Sequence, residues 1–209
     1  AGVPAPDGRW LRLWAALGAT ADAAHDAWAE LTARYSEPAR RYHTLEHVLE
    51  CHEKLEACRG LARDLPAVEA ALWYHDVVYD PRGASNEEAS AALAGERLKA
   101  VGVEAARVQA VERLILATRH AARPQDPDEA LVVDLDLAIL GADRDRFERY
   151  ERAITCCRAS SSARRSTRRR TGASGSRTAR GQTSPGASLH WGSRPRRDLG
   201  GAGARLCDL

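Results

Sequence analysis

The sequence predicts an all-α fold, a bundle of about seven or eight helices. Three features point there. Hydrophobic residues make up 44% of the 209 positions and aromatics only 5%, so Ala and Leu carry most of the apolar content, a mix that suits helices better than sheets. Apolar residues recur at helical spacing. Ser, Thr, Asp or Pro precede those segments and Gly follows them, as helix starts and stops require.

Each element can be justified in turn. Trp10, Leu13, Trp14 and Leu17 lie on one helical stripe that stops at Gly18. Thr20 or Asp22 starts a second helix through Trp28, Leu31 and Tyr35, which ends before Pro38. After a short connector, Tyr42, His43 and His47 enter a third helix that reaches Ala57, with Gly60 as its stop. Pro66 opens a fourth through Val68, Ala71, Leu72 and Trp73, ending near His75 and Asp76. Ser85 with Glu88 fits a capping box for a helix through Ala91, Leu93 and Leu98 to Gly102. The next runs from Glu104 through Val108, Val111, Leu114 and Ile115 to His120. Asp128 caps a helix from Leu131 to Leu140, and Gly141 ends it. Leu131–Val133 is the one stretch that could be argued as β. A last helix of mixed charge spans 144–154.

Residues 1–155 hold 19 Lys+Arg against 27 Asp+Glu, a balance of −8, whereas residues 156–209 hold 12 Arg against 2 Asp, a balance of +10. The body is therefore acidic and the tail basic, and two regions are expected: a folded domain over 1–155 and an Arg/Ser/Gly-rich tail that reads as disordered. The tail also admits two other readings. It could bind nucleic acid, although aromatics to interleave with the bases are missing apart from Trp191. A third reading fits better: the body ends in mid-helix at 150–155 and gives way to Arg/Ser/Gly-rich text, as a shifted reading frame in a GC-rich gene would produce. The five cysteines contain no CxxC pair that would suggest zinc, and Cys51 and Cys58, about 10 Å apart on a helix, are too distant for a disulfide. No apolar run is long enough to cross a membrane and the N-terminus has no signal-peptide pattern, so a cytoplasmic protein is expected. His25 and His52 read as surface residues, and Trp10, Trp14, Trp28 and Trp73 as core.

The polar residues inside the apolar helices are the candidates for chemistry. His43 and His47 share one helix face at i and i+4. His75 and Asp76 end a greasy run, and Asp134 and Asp136 interrupt another. Unpartnered polar groups are expensive in such places. Taken together they form an N/O ligand set without thiolates, suited to a divalent metal such as Mn, Fe, Co, Ni or Mg.

The order His47, His75-Asp76, Asp136 in an all-helical chain resembles the HD superfamily of metal-dependent phosphohydrolases. The likeness extends to one bacterial family of predicted HD-domain phosphohydrolases through the segments 35–38, 41–47, 71–80, 86–91, 117–120 and 134–141. It covers residues 10–154 and stops at the tail, where that family continues with further helices. The resemblance implies an HD-like bundle with His47, His75, Asp76 and Asp136 as metal ligands. Asp136 is preferred over Asp134 because the Leu-Ala that follows matches the family context. It also implies hydrolysis of a phosphomonoester or phosphodiester, of a nucleotide above all, by metal-activated water. By likeness to the cyclic-nucleotide phosphodiesterases, His43 would protonate the leaving oxygen. Glu87 is a second candidate for that proton, or a first-turn residue favoured by the helix dipole. Arg40, Arg41 or Lys54 could clamp the phosphate or be surface charges. His120, with Asp134 and Arg41, could hold a second metal or contact phosphate, and His120 could also be a histidine favoured at a helix C-terminus.

The expected partner is a small phosphorylated substrate, with no membrane and with nucleic acid only through the tail. Two other functions compete with the hydrolase: an HD-like module that senses a nucleotide without turnover, and a helical protein whose tail binds nucleic acid.

Overall fold

The computed structural model describes residues 3–155, so the expectations for the 156–209 tail lie outside the described residues. The described residues are helical throughout and contain no strand. In order they are α1 (Gly8–Ala16), α2 (Ala21–Tyr35), α3 (Leu45–Cys58), α4 (Leu65–Tyr74), α5 (Asn86–Ala100), α6 (Ala105–Ala117), α7 (Pro127–Asp136) and α8 (144–155). Short 3-10 turns follow α3 (Arg59–Leu61) and α7 (Leu137–Gly141). No helix among them is long and apolar enough to cross a membrane.

Helix α4 is central. It is apolar on almost every side, as a helix buried all round must be, and it packs against α1, α3, α5, α6 and α7. Asp64 starts it by accepting from Ala67 N at 3.2 Å, with Pro66 in the first turn. A tryptophan cluster wedges α1 and α2 onto it. Trp10 lies 5.0 Å from Trp14 and 5.6 Å from both Trp28 and Trp73, all four buried as expected. The Trp10 and Trp28 indoles donate to Ala24 O and Pro4 O, and Tyr35 donates its hydroxyl to Trp73 O. Gly18 and Gly102 take positive φ just past α1 and α5, the left-handed helix stop that glycine allows most readily.

Several expectations are corrected. Tyr42 and His43 precede α3, which begins at Leu45 after Thr44, so His43 and His47 do not share a helix. Ser85 sits at the start of α5 but its side chain caps nothing. The turn is held instead by Asn86, which accepts from Asp80 N and donates to Asp80 O. Asp126, not Asp128, caps α7 by accepting from Asp128 N and Glu129 N. The Asp128 carboxylate accepts from Arg63 N and Asp64 N and so ties α7 to the loop before α4. Leu131–Val133 is helical, and α7 ends at Asp136 rather than Leu140. His52 is not a surface residue. It is buried and stacked on Trp73 at 4.1 Å, and burial pulls its pKa down to about 3. Cys51 is a buried free thiol.

The tryptophan cluster makes a prediction. Trp10→Ala should lower unfolding free energy by about 3–5 kcal/mol, read from urea denaturation, because it leaves a cavity where α1, α2 and α4 meet.

Candidate metal centre

Three helix ends bring the side chains together. His47 lies in the first turn of α3, His75 caps the C-terminus of α4 with Asp76 next to it, and Asp136 is the last residue of α7. The two imidazoles meet at Nε2, 3.2 Å apart. Asp136 Oδ1 is 3.1 Å from His47 Nε2 and 3.5 Å from His75 Nε2. Asp76 Oδ2 is 3.2 Å from His75 Nε2 and 3.8 Å from His47 Nε2. Donors that share one divalent ion at the usual bond length of about 2.1 Å sit roughly 3 Å apart, so this spacing suits a cation. His47, His75 and Asp136 form a group that could hold a metal ion.

The backs of the rings fix how they present their nitrogens. His75 Nδ1 is 2.9 Å from Leu72 O, and a carbonyl can only accept, so Nδ1 carries the proton. In the neutral ring the Nε2 lone pair then faces the cluster, which is how a metal-binding imidazole is held. His47 Nδ1 is 3.0 Å from the Tyr42 hydroxyl. Asp76 Oδ2 is buried without a hydrogen bond of good geometry, and so is His43 Nδ1. A buried carboxylate oxygen left like this calls for a positive partner. Cys51 is not that partner's ligand: burial pushes its thiol pKa well up, and its S–H donates to Leu135 O at 3.6 Å.

With no metal, a proton is the remaining counter-charge. Burial disfavours the His75 imidazolium, but the Asp76 charge and the pull of both carboxylates on its Nε2–H raise its pKa well above the ordinary value. Burial pushes Asp76 and Asp136 up as well, but their histidine neighbours outweigh it. Asp76 is held down at about 2, chiefly by the His75 charge, and Asp136 well below the carboxylate range, chiefly by hydrogen bonds from His120, His47 and His75.

The remaining sequence candidates divide. His120 joins the cluster, with Nε2 3.2 Å from Asp136 Oδ2, so the carboxylate faces the buried histidines with one oxygen and His120 with the other. His120 has φ 54°, the one positive φ outside glycine among the described residues, and its side chain is 37% exposed. Its hydrogen bond to Asp136 raises its pKa. His43 lies beside the cluster, its ring 6.4 Å from that of His47 and 4.6 Å from Tyr79, and burial lowers its pKa. Glu87 is half-buried, and its charge reaches His120. Asp134 is exposed, makes no hydrogen bond or ion pair among the described residues and stands outside the cluster. Arg41 and Lys54 are exposed.

Arg40 corrects the phosphate-clamp reading and is the residue whose role sequence reasoning missed. It is 5% exposed and donates to His43 O at 3.0 Å, Asp76 O at 2.6 Å and Val77 O at 2.8 Å. Its guanidinium also lies against the rings of Tyr35 and Tyr79. Arg40 therefore staples the loop carrying His43 to the turn carrying Asp76.

Comparison of the chain with protein-family models, curated proteins and solved structures finds no match. The helical fold and the His/His/Asp cluster are compatible with the HD-like arrangement.

Two outcomes are expected. Arg40→Ala should cost about 3 kcal/mol in urea denaturation, since it strands three carbonyls in the interior at about 1–3 kcal/mol each with partial relaxation, and Arg40→Lys should not restore it. In EDTA the urea midpoint should fall as pH rises above about 6.5, where His43 and His52, whose pKa values burial lowers, are mostly neutral in both states. A pKa raised in the folded state means the His75 contribution is fully present below the unfolded value of about 6.5 and is lost as pH rises through the folded pKa. The lowered carboxylate values act only at the acid end, below about pH 4.

Proposed function

We propose that the cluster is a divalent-cation site and that the protein is a metal-dependent phosphohydrolase acting on a phosphomonoester or phosphodiester, in particular of a nucleotide. The observation that carries this reading is the meeting of the His47 and His75 Nε2 atoms with carboxylate oxygens of Asp76 and Asp136 at 3.1 to 3.8 Å. These four side chains would hold the ion. Bound there, it would supply the Lewis acidity that activates water and polarises a phosphoryl oxygen.

The chain's own groups would do the rest. His75 keeps its Nδ1 proton on Leu72 O, so its Nε2 stays available as a donor. Buried apolar walls from α3, α4 and α7 limit access of bulk water to the ligands. His120 stands at the exposed edge, within hydrogen-bond reach of Asp136, and is placed to meet a phosphate oxygen or to protonate the leaving oxygen. His43 is the more enclosed of the two flanking imidazoles, and burial favours its neutral form, which suits a hydrogen-bonding or proton-accepting role. Glu87 sits on the His120 side and would orient that ring or its proton.

The non-catalytic reading shares the ion site and differs in turnover. A panel of nucleotide mono- and diesters with added Mn, Co or Ni should release phosphate or free hydroxyl, and His75→Ala or Asp76→Ala should lower the rate at least ~100-fold, the scale of losing a ligand or its orienting partner. His120→Ala should lose far more rate on an alkyl ester than on a nitrophenyl ester, whose leaving group needs no proton. Stoichiometric metal with no turnover on any ester would favour the sensor.

A further inference from the structure

The two histidines of the cluster are braced differently. His75 is held from within its own helix, by Leu72 O. His47 is held by a side chain, the Tyr42 hydroxyl, which lies outside α3. Tyr42 is 7% exposed and its ring packs on His47 with centroids 4.7 Å apart. What holds Tyr42 in place comes from α8. The Tyr150 ring meets it edge-on at 4.6 Å, and the Arg146 guanidinium lies 5.8 Å from its centroid. Arg146 is itself fastened to α3 by two hydrogen bonds to Glu50, of 2.8 and 2.6 Å. Asp143 starts α8 by accepting from Arg146 N at 2.9 Å. A continuous set of contacts thus leads from α8 through Tyr42 to the back of one ligand and bypasses the other.

We propose that Tyr42 is a positioning residue for His47, and that α8, through Tyr150 and Arg146, sets how firmly the site holds its ion. The proposal rests on the cation-site reading above. A phenol oxygen that accepts from Nδ1–H keeps the ring in the tautomer with Nε2 free, and fixes its rotation. α8 supplies no donor to the cluster and acts only through that phenol. The hold on the ion therefore depends on whether α8 is docked, and a change that frees α8 loosens the site without removing a ligand.

Titration of the full chain with Mn²⁺ by calorimetry tests this, with the Co²⁺ visible spectrum as a second readout. Tyr42→Phe keeps the ring and removes the hydroxyl. It should weaken Mn²⁺ binding about 10–100-fold and shift the Co²⁺ bands. Tyr150→Ala should weaken binding several-fold alone and add nothing in the Tyr42→Phe background. Leu98→Ala, a core change near the C-terminal end of α5 and remote from this path, should leave affinity unchanged although it lowers stability, which separates positioning from general loosening. Unaltered Mn²⁺ affinity in Tyr42→Phe, or an effect of Tyr150→Ala that persists in full when the hydroxyl is gone, overturns the proposal while leaving the cation site intact. A wild-type chain that binds neither Mn²⁺ nor Co²⁺ overturns both.

Discussion

Two imidazole nitrogens, each 3.1 to 3.8 Å from two carboxylates and 3.2 Å from one another, form the constraint on which the structure depends. Inside a protein such a set is costly, because burying ionised groups without compensation costs several kcal/mol apiece. Three helix C-termini add to the negative potential, since His75 and Asp76 end α4, Asp136 ends α7, and His120 follows α6. Only a positive charge at the centre relieves this, either a proton on His75 or a divalent ion. The same groups that would make the site bind an ion make the ion-free protein sensitive to pH.

Holding those groups together requires a rigid frame, and α4 provides it. The helix is buried on nearly every side and carries Trp73 and Tyr74 into the tryptophan cluster immediately before it delivers His75. Trp10 reaches Trp28 and Trp73 as well as Trp14, so α1 and α2 fix the orientation of the helix whose end bears the ligands. Arg40 extends this frame into the loops. A guanidinium can donate to several carbonyls at once in a fixed fork, and here it joins two connections that would otherwise move independently. Burying that charge is tolerable because carbonyl oxygens, two aromatic faces and Glu37 surround it.

The donor chemistry narrows what the site can be. Imidazole and carboxylate with no thiolate make an N/O donor set, unlike the thiolate-rich set of a structural zinc site. The nearest sulfur, on Cys51, stays protonated because it is buried and its neighbours are carboxylates. The cluster also has an open edge at His120 and a closed back at Cys51 and Tyr42, so it is reached from one side.

By itself the sequence determined the helices, the tryptophan core and the placement of a His-Asp pair at the end of an apolar run, because helical periodicity and caps are local and α4 could not hide its polar end without a partner. It marked His47 and the Asp134/Asp136 pair, and the resemblance chose Asp136; the helix phase of α7 leaves Asp134 exposed and turns Asp136 to the cluster. Only the tertiary structure decided that Arg40 turns inward, that His52 lies under Trp73, that His43 stands off α3, and that His120 and Tyr42 reach the cluster. Each of these depends on how a loop is set or on contacts between residues far apart in the chain, such as His47 with Asp136, 89 positions away. A histidine in a turn looks the same in sequence whether it faces water or a carboxylate, and the packing of distant helices is what separates the two.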